Sequence, residues 1–390
     1  MKIGILTFHR PINYGAFLQS YCLSSALIKH FPNSTVEIID YIAPKENRKI
    51  YLDILRDLYY YGFSTCLKSI DRLRVFRRSL RYLPLSQGKL IGTELKKLFA
   101  YIDNHYDVLV IGSDAIFNWN QTEYPTAYIP NYNFHIPVLS YAASAHGLKF
   151  YDVEQKIIDE CSKVFSAMQY VGVRDTNTEN FVLHCNQSVT PVHCCDPTFL
   201  FNKVDLPDMD QGQRIKKKYA LSLNESYIVL MVADSELSKQ IAQKYKGKHR
   251  IIALFKPSAY ADLYIHDADP FEWTQVLKNA ALVVTSYFHG TLLSLVQNTP
   301  VLVVDHAGME DSIYQSKLYD VVVDRLQLSD LYCTRRDIET ENSNFDALLQ
   351  KTDRMLNGEY SEAIRNAVQR ESNYFETFVV AIDQLMEKEL

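Results

Sequence analysis

The chain has 390 residues, 47% hydrophobic and 22% charged, with 13 glycines and 13 prolines, so it has room for two or three domains of roughly 150 residues and is no collagen-like or disordered polymer. A formal net charge of −5 offers no global attraction to nucleic acid, so any anionic ligand must be held by a local site. Seven cysteines at irregular spacings (22, 66, 161, 185, 194, 195, 333) and no recognisable secretory leader lead us to expect reduced thiols in a cytoplasmic protein, and no apolar run reaches the roughly 18 residues of a spanning helix.

The first elements read as a βαβ opening, with a strand at "KIGILTF" (2–8), a helix at "GAFLQSYCLSSALIKH" (15–30) and a strand at "TVEIIDY" (35–41). Residues 65–82, "TCLKSIDRLRVFRRSLRY", place apolar side chains at 67, 70, 73, 76 and 80 with six basic residues between them. This basic amphipathic helix either packs by its apolar face or makes peripheral contact with a membrane. Strands follow at "DVLVIGS" (107–113), "PVLSYAAS" (137–144) and "QYVGVR" (169–174), as in an open α/β sheet. The polar stretch at 201–220 marks a boundary, after which "YIVLMV", "HRIIALF", "LVVTSY" and "VLVVDH" alternate with helical stretches at 236–246, 270–280 and 290–298. We expect an N-terminal α/β domain over 1–205, a Rossmann-like domain over 206–357, and a closing helix over 358–390.

Four strand-to-helix loops carry side chains suited to chemistry. "TFHRPINYGAF" offers His9, Arg10 and Asn13 before a helix opening at Gly15, a place where ligands gather in α/β sheets and where turn residues also serve the backbone. "VLVIGSDAIFNWN" delivers Ser113 and Asp114 at a strand end, with Asn118 and aromatic residues beyond; Asp114 could cap a helix or take a proton from a hydroxyl. In "VGVRDTNTENF", Arg174 could grip an anion with its planar fork or pair with a loop carboxylate. In "LVVTSYFHGTLL", His289 sits at the start of a helix beside Ser286 and Gly290, where a helix end attracts anions; a structural histidine fits equally. "HCNQSVTPVHCC" (184–195) lacks CxxC spacing, and neither a G-x-G-x-x-G fingerprint, a Walker loop nor a serine-hydrolase elbow occurs, so no metal or nucleotide cofactor is expected.

These motifs, with "SYAASAHG" and "CCDPTFLF", occur in an order that resembles the polysaccharide pyruvyl transferase family from residue 3 to about 305. The resemblance implies a GT-B-like fold, two Rossmann-like domains facing a cleft, with phosphoenolpyruvate as donor. It also implies a saccharide acceptor, often lipid-linked or a precursor of a cell-surface glycan, and a pyruvate ketal as product. It assigns His289 to donor phosphate and general acid, Arg174, Ser286 and Gly290 to the donor, Asp114 to the base, and Asn13, Gly15, Ser113 and Asn118 to the acceptor. The chain departs from the family where members often have Gln and Trp after GSD, having Ala115, Ile116 and Phe117, and where some carry Arg two residues before the histidine, having Tyr287. Lys256 or Arg10 could replace that cation. The other readings are a GT-B-type glycosyltransferase using a nucleotide sugar and a non-catalytic glycan-binding protein on the same fold.

Overall fold

The computed structural model describes residues 1–122, 124–207, 210–305, 316–334, 337–338 and 344–388. They group into two compact units: Met1–Leu73, Arg77–Asp205 and Ser372–Leu390 in the first, Arg74–Phe76 and Leu206–Glu371 in the second.

The first unit is built on strands β1 (Lys2–Leu6), β2 (Thr35–Ile38), β3 (Val108–Ile111), β4 (Val138–Ala143), β5 (Tyr170–Val173) and β6 (Val192–His193), in spatial order β2-β1-β3-β4-β5-β6. All pairings are parallel, with Ile5 opposite Val110 and Val110 opposite Leu139. Runs such as "VLVI", buried at every position, suit a parallel sheet covered on both faces. The connecting helices include α1 (Tyr14–His30), α2 (Pro44–Ser79), α3 (Leu95–His105), α4 (Gln155–Ala167) and α5 (Thr176–Cys185).

Helix α2 is not one rod. It breaks at Gly62, where φ is 81°. Arg77 donates to the Tyr51 hydroxyl at 2.7 Å and Ser69 to Asp57 at 2.6 Å. A straight helix would hold residues 51 and 77 about 39 Å apart, so the two arms fold back as a hairpin. In the stripe expected to be amphipathic over 65–82, Leu73, Phe76 and Leu80 are buried, while Leu67 nearer the bend is exposed. Residues 39–42 also differ from the expected strand: Tyr41–Ile42 leave the sheet and pair with Leu90–Ile91.

The second unit repeats the architecture with β7 (Tyr227–Met231), β8 (Arg250–Leu254), β9 (Leu263–Ile265), β10 (Leu282–Thr285), β11 (Val301–Asp305) and β12 (Tyr332–Thr334), all parallel in order β9-β8-β7-β10-β11-β12. This is the doubly wound dinucleotide-fold order. Its helices include α6 (Gln211–Tyr219), α7 (Ser235–Tyr245), α8 (Pro270–Lys278), α9 (Phe288–Val296), α10 (Asn344–Leu356) and α11 (Ser361–Ser372). The polar stretch expected as a break thus contains α6. Its charges bind the acidic start of α8, with Arg214 2.9 Å from Asp269 and Lys218 3.6 Å from Glu272, so its polarity marks a paired helix face. His306, expected to end β11, lies outside the described residues.

The tail expected as one helix is two. The chain breaks at Ser372–Asn373, residues whose side chains compete for backbone hydrogen bonds, and α12 (Tyr374–Lys388) follows. Phe378 of α12 packs on Tyr141 of β4 with ring centroids 4.5 Å apart, which ties the terminus into the first unit.

Candidate functional site

In an open α/β sheet, the crevice beyond the carboxyl ends of the strands opens where neighbouring crossovers diverge to opposite faces. In the first unit that point lies between β1 and β3, the strands that lead into "FHRPINY" and "GSDAIFNWN". A cavity of about 610 Å³ occupies it, walled on the sheet side by Phe8, Asn13, Ala16, Asp114 and Asn120. The α2 hairpin supplies Glu46, Lys49, Asp53 and Arg72 from the other side.

Local chemistry fixes the sheet-side loops. A Cβ on Gly112 would lie 1.9 Å from the Tyr141 carbonyl oxygen, so only glycine lets β3 turn beside β4 there. Asp114 then takes a left-handed φ of 85°, a conformation Asp tolerates better than most residues. Its Oδ1 accepts from Ala115 N at 2.8 Å, and its side chain is 13% exposed. Ser113 beside it is buried and its Oγ has no hydrogen-bond partner. Asn13 caps α1, accepting from Ala16 N at 3.1 Å, which leaves its amide NH₂ for the cavity. Gly15 is buried in the first turn of α1 behind that wall.

His9 and Arg10 are structural. His9 Nε2 lies 3.1 Å and Arg10 Nε 2.6 Å from Asp40 Oδ1, and Arg10 Nη2 closes the pair on Oδ2. Burial would raise the Asp40 carboxyl, but these bonds win and hold it down at about 2. Arg10 is therefore already engaged by a carboxylate.

Arg174, 5% exposed, donates from Nη1 to Asp196 Oδ2 at 2.8 Å and has Nη2 3.7 Å from Asp114 Oδ1. Burial works against its charge, yet the carboxylates of Asp196, Asp114 and Asp175 outweigh it and raise its pKa. Asp196, from "CCDPTF", also accepts from Gln19 at 2.5 Å and Thr198 N at 2.9 Å. Of the two roles open to Arg174 in the sequence, the geometry displays the carboxylate pairing. Asn118 is likewise engaged, donating to the His146 carbonyl at 2.7 Å and accepting from Asn120 N at 3.0 Å, so Asn120 and not Asn118 reaches the cavity wall.

In the second unit the crossovers diverge between β7 and β10, and the loop after β10 carries Ser286, Tyr287 and His289. Ser286 N donates to the Met231 carbonyl at 3.1 Å, which fastens the ends of the two strands. Helix α9 starts with Tyr287 as N-cap and no side-chain cap bond. A Cβ on Gly290 would come within 2.8 Å of Thr285 Oγ1, so glycine is what seats the first turn on the strand end. His289 is half-buried, its ring edge-on to Phe288 at 5.2 Å. This is a helix N-terminus with a hydroxyl and an imidazole beside it, chemistry suited to a phosphate.

Sequence reasoning missed Glu46, Lys49, Asn120 and Lys317. Burial pushes the Glu46 carboxyl up to about 7 against the pull of the Ala43 backbone and Lys49. Glu46 and Asp114 both act on the buried Tyr128 phenol, which burial, and after it Glu46, drives well above its ordinary range. Lys317 places its ammonium 5.1 Å from the Phe288 ring, beside the start of α9. No motif surrounds Lys317, so spacing gave no signal for it.

In the two His-Cys pairs at 184–195 each side chain has its own neighbour: His184 packs on Phe150 and Cys185 meets Cys161, while His193 packs on Tyr374 and Cys194 Sγ lies 3.5 Å from the Tyr170 hydroxyl.

A family model described as polysaccharide pyruvyl transferase matches residues 13–308. No curated protein matches the sequence. Among solved structures, UDP-GlcNAc 2-epimerase from Neisseria meningitidis bound to UDP-GlcNAc aligns over 98% of this chain and all of its own, with a TM-score of 0.57 and 10% identity. The UDP-GlcNAc 2-epimerase from Methanocaldococcus jannaschii covers 92% of this chain and 93% of its own, with a TM-score of 0.53 and 14% identity. At such identities the likeness is one of fold, and with the two sheet orders it places the chain in the GT-B class of α/β proteins with two Rossmann-like units.

Proposed function

We propose, because the chain belongs to the polysaccharide pyruvyl transferase family, that this transferase moves the pyruvyl group of phosphoenolpyruvate onto two hydroxyls of one sugar, forming a cyclic ketal on a saccharide bound for the cell envelope. The observation that carries the reading is the cavity of mixed polar and apolar lining at the divergence point of the first sheet, with Asp114 at its strand-end wall. A saccharide needs amide, hydroxyl and carboxylate partners, and Asn13, Asn120, Ser113 and Asp114 are of those kinds.

In the reaction an acceptor hydroxyl adds to C2 of phosphoenolpyruvate while C3 takes a proton and becomes a methyl group. The second hydroxyl then displaces phosphate from C2, and its proton leaves with the phosphate or to solvent. Asp114 is the base for the first hydroxyl, and Arg174 positions it at 3.7 Å. His289 with Ser286 and the start of α9 binds the phosphate, Lys317 adds a cation there, and the imidazole is the acid for C3. The chemistry uses no resident cofactor or metal; phosphoenolpyruvate is a substrate.

A ligand that binds only the folded state at 100 times its Kd stabilises it by about 2.7 kcal/mol. Phosphoenolpyruvate should raise the melting temperature of the wild type and not that of H289Q. A rise with UDP-GlcNAc and none with phosphoenolpyruvate would favour a nucleotide-sugar transferase instead.

A further inference from the structure

The bend of the α2 hairpin concentrates exposed apolar side chains. Among the described residues, eight of the sixteen exposed large hydrophobics fall within residues 51–67. Tyr59 is 83% exposed, Phe63 70%, Tyr60 69% and Leu55 60%. A soluble surface scatters such residues singly, so a cluster at one bend calls for a contact. Charge follows the same element. Residues 44–81 hold ten basic side chains against four acidic ones, in a chain whose net charge is −5. Lys68, Arg74 and Arg78 on the second arm are exposed.

We propose that the tip of this hairpin docks on the surface of an anionic lipid bilayer, with Leu55, Tyr59, Tyr60 and Phe63 entering the headgroup layer and the arm cations facing lipid phosphates. Tyrosine settles at a membrane interface with its hydroxyl in water, and phenylalanine and leucine form the apolar face that interfacial helices bury in the headgroup boundary. Clustered Lys and Arg behind such a tip add attraction to anionic headgroups. A stable protein partner draws on about 20 to 30 residues a side, far more than one bend presents. The hairpin does not span the bilayer, since no helix among the described residues is long and apolar enough. The proposal stands on the hairpin alone and does not depend on which sugar or donor the enzyme uses.

The test is cosedimentation of the full chain with vesicles of phosphatidylcholine, with and without phosphatidylglycerol, at low and high salt. The wild type should pellet with the phosphatidylglycerol vesicles, less at high salt, and remain largely in the supernatant with phosphatidylcholine alone. Y59S/Y60S/F63S, whose melting temperature should match the wild type because the replaced side chains are exposed, should lower the partition coefficient by about 100-fold. K68Q/R74Q/R78Q should lose the preference for phosphatidylglycerol. Wild type left in the supernatant with both vesicles, or a tip variant that pellets like the wild type, overturns the proposal. A dimer by light scattering that the tip substitutions dissociate, without vesicle binding, would reassign the surface to self-association and overturn it equally.

Discussion

Replacing Arg174 with alanine should unfold the first unit far more easily than its one side chain suggests. The guanidinium is 5% exposed and lies 2.8 Å from Asp196, itself 2% exposed, and 3.7 Å from Asp114. Its removal leaves two carboxylates in a poorly solvated place without their cation. Breaking a buried pair in this way costs about 3 to 5 kcal/mol, mostly the penalty of the uncompensated charge. At a urea slope of about 2 kcal/mol per molar, the midpoint falls by about 1.5 to 2.5 M. The chain has one tryptophan in each unit, Trp119 in the first and Trp273 in the second, so Trp119 fluorescence in a W273F background reports the first unit alone. A buried carboxylate that has lost its cation favours its protonated form, so the deficit should shrink as the pH is lowered from 8 toward 5. R174A/D196N, which removes the stranded charge as well, should recover part of the loss. A deficit below about 1 kcal/mol, equal at both pH values, would refute the view that Arg174 neutralises buried carboxylates.

D114N keeps a residue that accepts a left-handed φ, so its melting temperature should stay close to the wild type while pyruvyl transfer falls by about 10²- to 10⁴-fold, measured as ketal formed per minute. Unchanged transfer would remove Asp114 from the reaction. Glu46 makes a pH prediction with a definite sign. Its carboxyl, held near 7 in the fold against an ordinary 4.5, binds its proton more tightly folded than unfolded. That contribution is full below pH 4.5 and is lost as the pH rises through 7, about 2 kcal/mol allowing for its partial exposure. In the same tryptophan assay, E46Q should flatten this decline; an identical slope in E46Q would show that Glu46 does not titrate there.

Much of the architecture was legible because buried parallel strands are written as apolar runs: "VLVI" and "LVVT" lie within expected strands and differ from them only at the ends. Strand order is not written that way, since register and neighbour choice depend on crossovers, so sequence could place His289 and Asp114 at strand ends but not at the divergence points of their sheets. Glu46 and Lys49 escaped notice because they meet the cavity only through a hairpin, and nothing in the apolar spacing shows that the chain doubles back at Gly62. Arg174 and Asp196 stand 22 residues apart, in two motifs that carry no sign of being partners. The tail misled because polar residues at a helix face and at a helix break look alike until their partners are known.

The central claim is tested most directly by incubating the protein with phosphoenolpyruvate and a panel of synthetic and lipid-linked glycosides, and analysing the products by mass spectrometry alongside released phosphate. The account predicts a saccharide carrying one pyruvyl ketal for each phosphate set free, formed by the wild type and reduced in D114N and H289Q. Glycoside elongation from a nucleotide sugar, with no pyruvylated product from any acceptor, would contradict it.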